Sequence, residues 1–249
     1  MRQAEKVDLG SDDWTMEIRP YASAFHFPIK ELWEYRDLLF LFVRRDFKTM
    51  YKQTILGPAW ILLSPLLTTG MFSLIFGRIA GISTDGTPTF LFYMAGNILW
   101  NYFSSCLSAA SSTFIGNAGL FGKVYFPRIV VPASSAVSKL ITFGAQFLLF
   151  LILLFCSLGS GQVRITWLCL MTPVLLVMLA LLAIGTGMIL ASLTAKYRDL
   201  QVLVGFGVQL WMYASPIVYP LSQIPGKWRI LLSLNPVAYI VECFRYGWV

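Results

Sequence analysis

The sequence predicts an all-α, polytopic membrane protein, and three observations support this prediction. Hydrophobic residues make up 57% of the 249 residues and charged residues only 12%, whereas an ordinary soluble domain has about 45–50% and about 25%. Five stretches without Asp, Glu, Lys or Arg are each long enough to cross a bilayer, which takes about 20 residues of helix. These stretches are continuously apolar and do not alternate, which favours helices over a membrane β-barrel.

The N-terminal part is predicted to lie outside the bilayer core. Residues 1–28 form a polar tail of mixed charge, and residues 29–57 contain an amphipathic helix that Gly57-Pro58 ends. Apolar side chains recur in this helix at intervals of three or four and form one stripe. The stripe consists of Leu32, Tyr35, Leu39, Phe42, Val43, Phe47 and Met50. A helix of this kind lies in the membrane interface and does not cross the bilayer.

The end of this helix is strongly cationic, and its charge has two interpretations. Arg44, Arg45, Lys48 and Lys52 stand against a single acid, Asp46. The cations can anchor the helix to anionic lipid head groups, at about 1 kcal/mol each. They can also recognise a phosphate on a substrate, and the residues alone leave both interpretations open.

Five membrane spans are predicted within a transmembrane domain of residues 58–219. They cover about 58–79, 90–115, 135–158, 167–194 and 200–219. Fourteen of the nineteen Lys and Arg residues lie in residues 1–57, 116–139 and 195–199, which are the segments before the first span and around the loops after the second and fourth. Because cytoplasmic segments are enriched in Lys and Arg, the N-terminus is predicted to be cytoplasmic. Residues 220–249 then begin outside and are predicted to form short outer helices, broken at Pro225 and Pro236.

Neutral polar side chains recur on the spans with helical spacing, and no charged residue is predicted near the middle of any span. The serines have a second explanation besides a pore, because hydroxyl and small residues also allow helices to pack closely. Amides at depth beside aromatic rings favour a pore for an uncharged, hydroxylated polymer. The predicted pore-lining residues are Tyr93, Asn97, Trp100, Asn101, Ser104, Ser108, Gln146, Gln209 and Tyr213. The lack of an ionisable group at depth argues against proton-coupled transport and an intramembrane acid–base enzyme.

The loop after the second span, residues 119–128, is short, aromatic and basic. Such a loop can dock a soluble partner, or it can be a turn packed at the level of the head groups. The segment 116–124 resembles a phosphate-binding loop only loosely, because its glycine spacing is too long and Val124 stands where Ser or Thr is needed. One histidine and four scattered cysteines give no metal-ligand pattern. We therefore expect no cofactor in this chain, and any ATPase must be a separate chain.

An ordered set of motifs resembles the membrane subunit of bacterial polysaccharide exporters of the ABC-2 type. The resemblance runs from about residue 20 to the end of the chain. The motifs are residues 31–39 (ELWEYRDLL), 45–60 (RDFKTMYKQTILGPAW), 126–128 (FPR), 197–199 (YRD), 215–219 (SPIVY) and 235–236 (NP). The set in this order is specific, whereas each motif alone is weak.

The resemblance implies a homodimeric permease with two separate ATPase subunits, which would bind ATP and Mg²⁺. It implies a substrate on a lipid carrier such as undecaprenyl pyrophosphate, and short outer helices that form a periplasmic gate. The carrier entrance implied by the resemblance consists of Arg44, Arg45, Lys48, Lys52, Leu56 and Gly57. The implied coupling helix, which docks into the ATPase, contains Gly122, Lys123, Tyr125, Phe126, Pro127 and Arg128. The family has a sixth span after the gate helices, so we expect the natural chain to extend beyond Val249.

The leading hypothesis is therefore the permease subunit of an ATP-driven exporter of lipid-linked polysaccharide, with O-antigen favoured, in the bacterial inner membrane. Its partners would be a second copy, ATPase subunits and membrane lipids, with no nucleic acid. A rival in the same class is an ABC-2 type exporter of drugs or small lipids. An integral-membrane glycosyltransferase or acyltransferase is a second rival, for which only Asp46, Asp85 and Asp199 lie near a membrane boundary. A scaffold that transports nothing is a third.

Overall fold

The computed structural model describes residues 29–51, 57, 59–159, 163, 165–197, 199–226, 232 and 234–249. Every regular element in these ranges is a helix, and the helices pack around one central member. The chain is thus a polytopic, all-α membrane protein, as the sequence predicts. The predicted tail, residues 1–28, and the predicted entrance residues Lys52 and Leu56 lie outside the described residues.

The N-terminal amphipathic segment forms two helices, α1 (Ile29–Glu34) and α2 (Arg36–Tyr51), separated by a turn at Tyr35. The predicted stripe is therefore interrupted. Phe42 is buried in a cluster with Phe126, Val130 and Val131. Trp33, Phe40 and Phe47 remain exposed. The helix thus packs on the bundle through one face and presents apolar side chains on another.

Three of the helical segments in the described ranges are long and apolar enough to cross a membrane. The first is α3 (Ala59–Phe72), which continues as a π-helical segment over Ser73–Ile79. The second is α7 (Val130–Leu158). The third is α8 (Thr172–Lys196), which a 3₁₀ turn over Trp167–Met171 precedes. Their bounds lie within about five residues of three of the five predicted spans.

The centre of the bundle is α4 (Thr89–Ser111), which contacts α3, α7, α8 and α9. Every residue from 91 to 100 is buried. At 23 residues α4 is about 34 Å long, enough to cross a bilayer, although it is less apolar than the three helices above. Protein surrounds α4 on most sides, so it needs little apolar surface for lipid, and this explains its amides and serines. Its predicted membrane crossing stays a prediction.

The helix α9 (Leu200–Tyr213) has 14 residues and is shorter than the predicted span of 200–219. Pro216 accounts for the early end, because proline removes a backbone donor and disfavours helical geometry in the preceding residue. Residues 214–220 continue as turns. A helix of about 21 Å does not by itself reach across a hydrocarbon core of about 30 Å, so a fifth crossing also stays a prediction.

The last helix, α10 (Pro236–Trp248), begins where Asn235 accepts a hydrogen bond from the Val237 N–H. Asparagine as N-cap followed by proline is a favoured helix start. The helix packs against α4, α8 and the 3₁₀ turn before α8. Its apolar face is buried in the core, through Val237, Ala238, Ile240, Val241 and Phe244. The predicted outer helix is thus embedded in the bundle and does not lie apart from it.

Candidate functional site

The turn between α2 and α3 carries the glycine of the predicted entrance. Gly57 has a φ of +49°, a left-handed conformation that glycine adopts without the steric cost of a Cβ. Arg44, Arg45 and Lys48 are exposed on α2. The Arg45 guanidinium donates to Asp46 at 2.8 Å and lies 4.8 Å from the centre of the Phe42 ring. Arg45 is therefore held against its own helix, and its entrance role stays a prediction.

A cleft lined by hydroxyl, amide and apolar side chains lies between α2, α3, α4 and α7, and it contains two adjoining cavities. The first has a volume of about 340 Å³ and is lined by Asp46, Phe47, Thr49, Ala109, Ser135, Ser138, Lys139, Ile141 and Thr142. The second has a volume of about 200 Å³ and is lined by Ser64, Asn101, Tyr102, Ser105, Lys139, Thr142, Phe143 and Gln146. Lys139 and Thr142 line both cavities, so the two meet at this turn of α7.

The predicted pore-lining residues do not form one surface in the protomer. Tyr93, Asn97 and Trp100 are buried inside the bundle. The Asn97 side-chain amide donates to Thr69 Oγ1 at 3.4 Å, and the Gln146 amide donates to the Ile61 carbonyl at 3.3 Å. Both amides therefore join α3 to a neighbouring helix.

The remaining predicted pore residues are more accessible. Asn101 and Ser104 are half-buried on α4, and Ser108 is exposed. Gln209 and Tyr213 are exposed on α9. Asn101 and Gln146 line the same cavity. A pore built from these residues stays a prediction about a larger assembly.

The predicted coupling loop projects from the bundle between α4 and α7. Two short helices, α5 (Thr113–Gly116) and α6 (Ala118–Phe121), lead into it. Residues 122–125 are exposed, and residues 121–129 surround a cavity of about 660 Å³.

The loop is anchored from within by an aromatic side chain. Phe126 is only 5% exposed, and its ring centre lies 5.9 Å from that of Phe42 on α2. Arg128 lies with its guanidinium 5.7 Å from the centre of the Phe114 ring. Phe126 is therefore positioned to hold the loop on α2, whereas Gly122, Lys123 and Tyr125 are the residues available to a partner.

At the other end of the bundle, Arg245 of α10 is buried against α4. Its Nη2 donates to the Ile217 carbonyl at 2.7 Å, and its Nη1 donates to the Pro216 carbonyl. The guanidinium lies 3.7 Å from the centre of the Phe92 ring and 3.6 Å from Glu242. The side chain thus ties α10 and the turn after α9 to the first turns of α4.

Residues 37–248 match the model of the ABC-2 type transporter family. The chain belongs to this family.

Three relatives of this chain have names that refer to O-antigen export or polysialic acid transport. An O-antigen export system permease protein RfbA of Myxococcus xanthus is 31% identical over 219 residues, which cover 87% of this chain and 82% of that protein. An RfbA of Klebsiella pneumoniae is 27% identical over 84% of this chain and 79% of that protein. The polysialic acid transport protein KpsM of Escherichia coli is 26% identical over the same shares of the two chains.

The positions of two charged residues, Lys139 and Arg245, were not predicted from the sequence. Lys139 was counted with the cationic segment 116–139, at the predicted start of the third span, whereas α7 begins at Val130 and places Lys139 almost three turns inside the helix. Arg245 was assigned to an outer helix, although it reaches the first third of α4. The sequence predicted that no charged residue lies near the middle of a span. Arg245 was not anticipated, because it belongs to α10, which is not one of the predicted spans.

Proposed function

We propose that this chain is the transmembrane subunit of an ATP-driven exporter that moves lipid-linked polysaccharide, with O-antigen favoured, across the bacterial inner membrane. The observation that carries the proposal is the similarity to an O-antigen export permease, which extends over 87% of this chain. The family match over residues 37–248 includes most of α2, the coupling loop and α10. It therefore supports a shared permease architecture and is not confined to one motif.

The proposed assembly contains two copies of this chain and two ATPase subunits, which bind ATP and Mg²⁺. The N-terminus and the loop over residues 122–128 face the cytoplasm, in agreement with the distribution of Lys and Arg. The exposed residues 122–125 supply the docking surface for the ATPase. Because Phe126 packs on Phe42, a displacement of the loop also moves α2. Coupling thus acts on α2 and α7 together.

The sugar chain passes along surfaces that carry neutral polar and aromatic side chains. Gln209 and Tyr213 lie one turn apart on the exposed side of α9. An amide can exchange hydrogen bonds with sugar hydroxyls, and an aromatic ring offers an apolar face to a sugar ring. In the two-copy assembly this side of α9 faces the polymer.

The proposal is tested by the ATPase activity of the purified complex with its partner subunits in nanodiscs. Lipid-linked polysaccharide should stimulate ATP hydrolysis, and the double variant Gln209→Leu/Tyr213→Leu should lose most of that stimulation while retaining basal hydrolysis. The matched control is Leu210→Ala, an exposed substitution on the same helix, which should behave as wild type. No stimulation of the wild-type complex by the polysaccharide would count against the proposal.

A second candidate function is the export of drugs or small lipids, which an apolar groove favours. The groove has a volume of about 380 Å³ and lies between α4, α8 and α9. It is lined by Leu107, Leu190, Leu193, Thr194, Leu200, Leu203, Val204, Gly207, Val208 and Trp211. Stimulation of ATP hydrolysis by lipids or apolar drugs without any glycan would favour this function.

A further inference from the structure

Lys139 occupies an unusual position for a cation in this chain. It is the tenth of the 29 residues of α7, which places it about 13 Å along the helix from Val130. The head-group layer on each side of a bilayer is roughly 5–8 Å thick. With Val130 at the proposed cytoplasmic end, the backbone of Lys139 lies just inside the hydrocarbon layer. A charge at this depth costs free energy unless it reaches polar surroundings or a counter-ion.

The surroundings of Lys139 supply polar groups but no counter-ion. The side chain is half-buried and makes no hydrogen bond or ion pair with any residue in the described ranges. The acid that lines the same cavity, Asp46, is paired with Arg45 at 2.8 Å. The ammonium group is therefore available to a ligand.

The two cavities also offer neutral hydrogen-bond donors on both sides of Lys139. Ser135 lies in the larger cavity, and Ser105 and Asn101 lie in the smaller one. Gln146 uses one N–H on the Ile61 carbonyl and retains a second. Hydroxyl and amide donors around one ammonium group match the oxygens of a phosphate or pyrophosphate. Sugar hydroxyls would leave the positive charge without compensation.

Apolar side chains that are exposed on the outside of the protomer border the larger cavity. Ile141, which lines it, is 44% exposed on α7, and the neighbouring Leu140 is 38% exposed. An anion that enters here can keep an attached hydrocarbon tail in the membrane beside α7. A soluble anion would have to cross the same apolar rim.

We propose that the cleft at Lys139 binds the phosphate-bearing head group of the lipid carrier, with Lys139 as its counter-ion. This inference rests on the proposed function and adds a specific binding site to it. The site differs from the predicted entrance on α2, whose cations lie on the surface. The α2 cations then attract the head group, and Lys139 holds it within the bundle.

The test measures lipid binding to the permease–ATPase complex in nanodiscs of phosphatidylcholine, without ATP. The probes are undecaprenyl pyrophosphate, undecaprenol, phosphatidylglycerol and sodium pyrophosphate. Lys139→Gln should weaken binding of undecaprenyl pyrophosphate about tenfold or more, because it removes a charge-assisted hydrogen bond. Lys139→Arg should stay within about threefold of wild type. The matched control is Lys196→Gln, which removes an exposed cation at the end of α8.

Three results would overturn the proposal. Unchanged binding of undecaprenyl pyrophosphate to Lys139→Gln would exclude the counter-ion role. An equal loss of phosphatidylglycerol binding would indicate a site for bulk anionic lipid, and equally tight binding of sodium pyrophosphate would indicate a site for a free anion. If Lys139→Gln does not fold, Ser135→Ala provides the test from the same cavity. It should weaken binding of undecaprenyl pyrophosphate about threefold or more. Unchanged binding to this variant would also overturn the proposal.

Failure of this site is distinguishable from failure of the proposed function. If polysaccharide stimulates ATP hydrolysis but carrier binding does not depend on Lys139, only the site is wrong. If carrier binding depends on Lys139 but polysaccharide has no effect on ATP hydrolysis, the site stands and the polysaccharide is the wrong substrate.

Discussion

Replacing Gly187 by alanine introduces a methyl group where α8 touches α4. A Cβ at this position would lie 2.5 Å from the Ala110 Cβ and 3.0 Å from the Leu107 carbonyl oxygen. Carbon atoms pack favourably at about 3.5–4.0 Å. Neither neighbouring atom belongs to a flexible side chain, so relief requires the two helices to separate by about 1 Å. Gly185, two residues earlier on the same helix, has nothing within 4 Å of the corresponding Cβ.

The comparison of Gly187→Ala with Gly185→Ala isolates this contact. Both substitutions gain the helix propensity of alanine over glycine, about 1 kcal/mol, so that contribution cancels between them. The remaining difference is the cost of overpacking, about 1–3 kcal/mol. At roughly 2–4 °C per kcal/mol for a chain of this size, Gly187→Ala should unfold about 2–12 °C below Gly185→Ala.

The assay is thermal unfolding of the purified variants in one detergent, followed by tryptophan fluorescence. Size-exclusion chromatography before heating shows whether each variant has the same oligomeric state as wild type. Equal midpoints for the two variants would show that α4 and α8 separate at no cost. That result would refute the claim that α4 packs tightly against α8 at the centre of the bundle.

Three further substitutions test other contacts by the same thermal assay. Gly96→Ala should be about 1–3 kcal/mol less stable than Gly144→Ala, because the new Cβ at residue 96 would lie 2.5 Å from Arg245 Nη2, which hydrogen bonds hold in place, whereas the Cβ at residue 144 has open space. Phe42→Ala should cost about 3–5 kcal/mol at its buried site and expose α2 to proteolysis, and unchanged proteolysis would contradict the docking of α2. Asn235→Ala should cost more than the roughly 1–2 kcal/mol of an N-cap, because it also removes the side-chain hydrogen bonds to Trp211 Nε1 and Ser215 Oγ, and a wild-type midpoint would contradict these contacts.

The bounds of the apolar helices follow largely from the sequence. The segment predicted as 58–79 is helical over 59–79, and the one predicted as 167–194 is helical over 167–196. A long charge-free stretch leaves the backbone no partner in lipid except itself, so helix is the only structure available. Pro216 in turn accounts for the end of α9 six residues before the predicted position.

The arrangement of the polar residues does not follow from the sequence. Asn97 has the spacing of a pore-lining residue, but its amide contacts Thr69 inside the protomer. Helical periodicity shows that side chains share a face and does not show what that face contacts. Lys139 and Arg245 depend on contacts between segments far apart in the chain, so neither site is visible in a single stretch of sequence.

Polysaccharide flux in proteoliposomes tests the central claim most directly. Vesicles that contain this chain and its ATPase receive lipid-linked polysaccharide in the leaflet on the ATPase side. Movement of the sugar to the opposite side is followed by its protection from an added glycosidase. The account predicts protection that requires ATP hydrolysis and both proteins. Protection in the absence of the ATPase, or none when ATP is hydrolysed by the complete complex, would contradict it.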